Sequence, residues 1–236
     1  MPDIYPGKDC MFRMDNESDW AGARDVGTSE WHSNTQSQGY VKAAANSGGN
    51  QYDCYRIFMA FDTSGISVTP SSCNLRLYGF SSITTQVTIV KVTAGATGNS
   101  STDFVAADFD AMTGFTAGAT MNGNVTTYSS ATTLIVNQYV NVALNSTALS
   151  DMASLSEFKL GIVTSDFDYT NTAPNNAVTK TAGFRLVSNG TSSIRPYIAY
   201  VAGSSGYGNA VCSVDSGDIA AISSVLTANV SKVYGI

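Results

Sequence analysis

The chain is cut into short apolar or alternating runs, each closed by Gly, Asn, Asp, Ser or Thr, and almost nothing between them keeps a helical period. Residues 55–61 are rich in aromatics and end on Asp62-Thr63-Ser64-Gly65, a turn signal. Residues 73–80 set Cys, Leu, Leu and Gly against Asn, Arg, Tyr and Phe, the alternation of a strand with one wetter face. Residues 86–92 alternate similarly, and further strands are expected at 134–136, 138–144, 158–163, 183–187 and 196–201. A single helical turn is expected at 146–152, an apolar patch with Ser and Thr at its start. Many short strands with so little helix predict an all-β chain folded as an antiparallel sandwich or barrel. Residues from about 103 to 130, rich in Gly, Ala and Thr, read as a long excursion, and loops of that length serve binding or assembly.

The pattern changes after residue 201. The β domain is expected to span residues 1–201, with a Gly/Ser-rich linker at 202–215 and an apolar segment at 216–236. In that last segment Ile219, Ile222, Leu226, Val230 and Val233 recur at steps of 3, 4, 4 and 3, which is one helical face. Two fates are open to it: docking on its own domain, or docking on another subunit. The Gly-rich linker and the small opposite face of Ala220, Ser223, Ser224 and Thr227 favour the second. A tail this short is marginal alone and needs a partner surface.

Charge narrows the functions. Only 13% of residues are charged, and 12 Lys+Arg against 18 Asp+Glu leave a formal net charge of −6. Nucleic-acid binding is not expected, because it needs clustered Lys and Arg to displace counterions. No run approaches the roughly 18 apolar residues of a membrane span, so membrane insertion is not expected either. The first residues carry no basic region followed by an apolar one, and the chain is expected to be made and folded in a cytoplasm. A 43% apolar fraction with 12 Tyr and 10 Phe supplies a core, so Ser, Thr, Asn and Gly must cover the surface.

Catalytic machinery is sparse. The one histidine, His32, sits in a polar stretch and is expected at the surface or in a loop, which removes most His-dependent chemistry. The cysteines at 10, 54, 73 and 212 form no CxxC pair and are expected to be free, buried thiols. Asp15-Asn16-Glu17-Ser18-Asp19 alternates carboxylates as a calcium loop does, but lacks the Gly at the sixth position and the distal Glu. Asp103, Asp108 and Asp110 form a second acidic set. Asp166 and Asp168 are placed on one face of a strand or turn, as an acid and base of glycoside hydrolysis would be. Solvated loop acids are the expected reading of all three groups; no cofactor is expected, and Ca²⁺ is the one metal for which ligands are offered. The aromatics near the start, Trp20, Trp31 and Tyr40 above all, lie among Gly, Ser, Gln and Asn. They are candidate sugar contacts, because the apolar face of a pyranose stacks on a ring; core packing is the competing reading.

Certain residues also carry a family likeness. Arg56-Ile57-Phe58-Met59-Ala60-Phe61-Asp62-Thr63-Ser64-Gly65-Ile66 followed by Leu75-Arg76-Leu77-Tyr78-Gly79 resembles the paired strands of the DNRLRE-type jelly-roll domains. Arg195-Pro196-Tyr197-Ile198-Ala199-Tyr200-Val201 is similar to that family's closing strand, and the likeness covers residues 15–201. It implies an antiparallel jelly-roll β-sandwich, here followed by a short C-terminal helical or extended assembly tail. Members include carbohydrate-binding modules of secreted enzymes and domains of virion proteins in tailed bacteriophages; no shared catalytic residues come with it. The last residues, 222–236, resemble an ending common in phage structural proteins.

Together these imply a non-enzymatic virion protein, a capsid decoration (cement) or head or tail fibre subunit assembled in the host cytoplasm. A homotrimer in contact with a major capsid or tail protein is the expected state, with Ile219, Ile222, Leu226, Val230 and Val233 at the subunit interface. The alternative is a carbohydrate-binding module or adhesin that recognises host-surface polysaccharide through Trp20, Trp31 and Tyr40.

Overall fold

One long strand organises the molecule. Residues 52–62 set aromatic and sulfur-containing side chains on both parities, a composition that suits a strand covered on both faces. The structure, a computed structural model, describes residues 2–81, 83–93 and 95–203, together with the backbone of 221–222 and 225–226. In chain order the elements are β1 (Asp3–Ile4), β2 (Lys8–Glu17), α1 (Trp20–Arg24), β3 (Trp31–Ser33), β4 (Gln38–Ala45), β5 (Tyr52–Asp62), β6 (Ser72–Tyr78), β7 (Val87–Lys91), β8 (Tyr139–Ala143), α2 (Ser146–Ser154), β9 (Glu157–Thr164), β10 (Thr179–Arg185) and β11 (Tyr197–Val201).

The strands form two antiparallel sheets, an all-β sandwich. The small sheet has the order β1-β11-β6-β8. The large sheet is forked around β5. Along one edge β5 pairs with β2, which carries β3 outside it. Its other edge is shared: β4 takes Tyr52 to Tyr55, and β9 takes Ile57 to Asp62. β4 then carries β10, and β9 carries β7. A bridge between Gly79 and Phe184, and the Phe80 N–H donating to the Gly183 carbonyl at 2.8 Å, tie the end of β6 to β10.

Each face of β5 belongs to a different core. Ile57, Met59 and Phe61 pack with Leu75, Leu77, Val142 and Ile198 of the small sheet, which fills the sandwich. Phe58 and Ala60 pack outward with Cys10, Phe12 and Val163 beneath α1 and a loop layer that includes Phe104, Phe109, Met112, Met121 and Val125. At β9 this crowding leaves no room for a side chain: a Cβ on Gly161 would stand 2.9 Å from Phe58 Cε1.

The long excursion forms much of the outer layer. It is a covering layer held down by buried aromatics and methionines, each worth about 1.5–3 kcal/mol of apolar burial. Residues 134–136, expected as a strand, lie outside the named strands, with Leu134 buried and Ile135 and Val136 exposed at 51% and 42%. The expected helical turn is α2, capped by Asn145, whose side chain accepts from the Ala148 N–H at 3.1 Å.

Of the proposed tail, Ala221–Ile222 pairs antiparallel with Val225–Leu226. The extended form holds at those four residues, against a continuous helical face through them; the β-branched Ile222 and Val225 suit strands. Ile219, Val230 and Val233, and the linker from residue 204 onward, lie outside the described residues.

Candidate functional site

The expected acid pair comes apart in the structure. Asp166 is exposed and accepts from Thr85 Oγ1 at 3.0 Å, whereas Asp168 is fully buried. Arg56 grips the Asp168 carboxylate with two parallel bonds of 2.8 Å, from Nε and Nη2. The same guanidinium donates to the carbonyls of Phe109 at 3.0 Å and Arg24 at 2.9 Å, and lies 4.2 Å from the Phe109 ring centroid. Burial opposes the Arg56 charge, but Asp168 outweighs it and holds the guanidinium above its usual pKa. Arg24, also fully buried, reaches the Asp168 carbonyl at 2.9 Å and the Asp25 carboxylate. This network pins α1 and the loop layer to β5. Removing one partner of such a pair leaves an uncompensated buried charge, at a cost of about 3–5 kcal/mol.

The other acidic groups disperse similarly. Asp15 binds Arg13 and the Tyr55 hydroxyl, and Asp19 caps α1 by accepting from the Gly22 N–H at 2.7 Å. Burial, then Glu30, raises the Glu17 pKa. Asp103 pairs with Lys8 at 2.8 Å. Asp108 is buried rather than solvated, and accepts from the Thr97 and Val105 N–H groups at 3.0 Å. Among the described residues no three His, Cys, Asp or Glu side chains gather as metal ligands. Cys10, Cys54 and Cys73 are free and buried as expected; Cys212 lies outside the described residues. His32 is a surface histidine, exposed on β3, a three-residue edge strand.

The three candidate sugar-binding aromatics do not meet. Trp20 is 8% exposed on α1, its Nε1 donating to Asn171 Oδ1 at 3.2 Å, and it belongs to the outer core. That corrects its assignment as a surface platform: an amphipathic helix turn needs its largest ring buried. Trp31 is 36% exposed on β3, where Arg13 lies 5.1 Å from its ring. Tyr40 is half-buried on β4, beside Phe80 and Ser81.

A different set of aromatics does come together, on the solvent side of the small sheet. Leu75 and Leu77 of β6 point into the sandwich, so alternation turns Arg76 and Tyr78 outward. Register then sets Tyr197 of β11 opposite Arg76, and Tyr139 of β8 opposite Tyr78. Tyr5, 53% exposed, follows β1 at the edge. Four rings run in a chain: Tyr5 to Tyr197 at 5.5 Å, Tyr197 to Tyr139 at 5.4 Å, and Tyr139 to Tyr78 at 5.3 Å between centroids. The Arg76 guanidinium lies 5.3 Å from the Tyr139 ring and 5.4 Å from that of Tyr197. Asn74 and Asn141 share this face, and Asn141 is exposed.

The chain of rings opens at one end into a cleft of about 300 Å³ lined by Tyr5, Pro6, Val187, Ser192, Ser193, Arg195 and Pro196. The Tyr139 hydroxyl fixes the cleft wall, donating to the Arg195 carbonyl at 2.6 Å with the Ser193 carbonyl at 3.0 Å. Burial, then the Tyr197 and Tyr5 phenols, push the Tyr139 pKa up to about 12, so it remains a donor at neutral pH. A second cleft of about 320 Å³ holds Lys91, Tyr128, Glu157 and Lys159, but its polar groups are already engaged. Lys91 and Tyr128 bind Asp151, Glu157 binds Ser100, and Lys159 donates to the Ala96 carbonyl.

No protein-family model matches the chain. No curated protein matches it either.

Proposed function

We propose that the protein is a non-enzymatic binding module that holds saccharide on the outer face of its small sheet. The observation that carries this reading is the chain of four tyrosine rings, flanked by asparagine amides and ending in a serine-lined cleft. Aromatic faces take the apolar face of a sugar ring, and nearby amides and hydroxyls take its hydroxyl groups. The test is a glycan array probed with the wild type and with Tyr5→Ala, Tyr197→Ala and Trp31→Ala. Tyr5→Ala and Tyr197→Ala are expected to weaken the best-bound glycan about tenfold each, the size of a ring contact. Trp31→Ala is expected to leave it unchanged. The reverse pattern would move the site to β3, and an array with no bound glycan would remove the reading.

The jelly-roll winding belongs to the same proposal. It is supported by the path of the chain, which alternates between the large and small sheets at each step from β5 to β9. So does the setting: a tailed-phage particle, assembled in the host cytoplasm, with the protein as a homotrimeric capsid decoration or fibre subunit on a major capsid or tail protein. The resemblance of residues 56–66, 75–79 and 195–201 supports it. So does a chain with only 13% charged residues, since subunit contacts that bury few charges avoid their desolvation cost. Truncation after Gly203 is expected to abolish trimer formation in native mass measurements; a truncated protein that still forms the trimer would show that residues 216–236 are no anchor.

A further inference from the structure

We propose that this face takes an acidic saccharide, whose carboxylate is held by Arg76 and Arg195 while its ring lies on the tyrosines; the inference rests on the saccharide reading above. The chain has six arginines. Three are matched to carboxylates: Arg13 to Asp15, Arg24 to Asp25 and Asp168, and Arg56 to Asp168. Arg76 is different. Among the described residues its side chain forms no ion pair and no hydrogen bond, whereas Arg185 donates to Gln38; its guanidinium stands over the Tyr139 and Tyr197 rings. Rings attract a guanidinium but accept none of its five N–H bonds in a directed way. The Nε is shut off by burial, but the two Nη groups are not, so on this outward sheet position they are free to donate to a ligand.

Arg195 adds a second cation at the same end. Its Nε donates to the Asn189 carbonyl at 2.8 Å, it forms no ion pair among the described residues, and it lines the cleft with Tyr5, Ser192 and Ser193. One acid, Asp3, shares the face, opposite Ala199 and two residues along β11 from Tyr197, and it too forms no ion pair among the described residues. The charge balance of the face is therefore positive on a chain whose formal net charge is −6. A guanidinium fork fits a carboxylate with two parallel bonds, and the flanking rings keep water from competing. Ring stacking and a carboxylate on one small molecule describe a uronic-acid type of sugar.

The test measures binding of polygalacturonate, alginate and hyaluronan beside the carboxyl-reduced form of each. At least one acidic polymer is expected to bind about tenfold or more tightly than its reduced form, the size of one charge-assisted contact. Arg76→Gln is expected to erase that preference, and Arg76→Lys to keep part of it. Arg195→Gln provides an independent reduction of the preference should Arg76→Gln lose its fold. Reduced forms that bind as well as their parents, with Tyr197→Ala weakening both, would overturn the acidic inference and leave the saccharide reading standing. So would binding of neutral array glycans alone. An Arg76→Gln that loses both forms, together with an Arg195→Gln that alters no preference, also overturns it. A protein that binds none of these polymers and no array glycan loses both readings.

Discussion

Asp9 is a carboxylate set where water does not reach. It lies on β2 with 1% of its surface exposed; one oxygen accepts from the Val187 N–H at 2.6 Å, and Oδ1 has no hydrogen-bond partner. Burial raises its pKa from 3.8 to about 7, against the lowering effect of the Val187 N–H. The folded chain therefore holds this proton more tightly than the unfolded chain, and folding takes up a proton between about pH 4 and pH 7. Stability from this group falls as pH rises through that window and levels off above it. The full swing is on the order of 4 kcal/mol, from about three pKa units at 1.36 kcal/mol each. Asp9→Asn removes the titration while keeping an acceptor for Val187. Urea unfolding of both proteins from pH 4 to 8.5 is expected to show a difference curve that grows with pH, with the variant more stable by about 1–3 kcal/mol at pH 8. A difference curve flat across the range would mean that Asp9 titrates equally in both states.

At the scale of elements, the sequence spoke clearly wherever a strand has one wet face. β6 alternates in burial along its whole length and β8 over its last residues, so their runs are visible in the residue order. β2 gives no such signal, because Asp9 and Met11 are buried on one parity and Cys10 and Phe12 on the other. β4 ends in three alanines, which favour helix over strand when read alone. The loop layer stayed hidden for a related reason: Phe104, Phe109, Met112, Met121 and Val125 press onto the sheet from above, and such anchors keep no period. The candidate site was half legible. The outward parity of Arg76 and Tyr78 follows from the alternation in β6, but Tyr5, Tyr139 and Tyr197 are brought beside them only by the order β1-β11-β6-β8. Tertiary pairing across more than a hundred residues is not written in any local window. Trp20 misled because a large aromatic in polar surroundings looks the same whether a helix turn buries it or, as at Trp31, an edge strand exposes it.

At the scale of the molecule, β5 makes the two cores one. Its Ile57, Met59 and Phe61 are fixed by the small sheet, and its Arg56 and Phe58 by the outer layer, so opening either side strips support from the same backbone. The outer layer cannot lift away cheaply. Arg56 would keep its charge in a half-open site while losing the Phe109 and Arg24 carbonyls, and Asp168 would lose its bidentate partner. Local opening is favoured where apolar contacts are few, and here the loop layer is anchored by buried Phe, Met and Val side chains. The two cores are therefore expected to unfold together, as a single two-state transition. Trp20, packed in the outer core, gives that layer its own signal once Trp31 is replaced by Phe. In Trp31→Phe protein, the fluorescence of Trp20 and the far-ultraviolet ellipticity of the sheets are expected to trace superimposable curves in urea. A Trp20 signal that reaches its unfolded plateau while the ellipticity is still native would show the outer layer to be a separate unit, with the sandwich standing on its inner core alone.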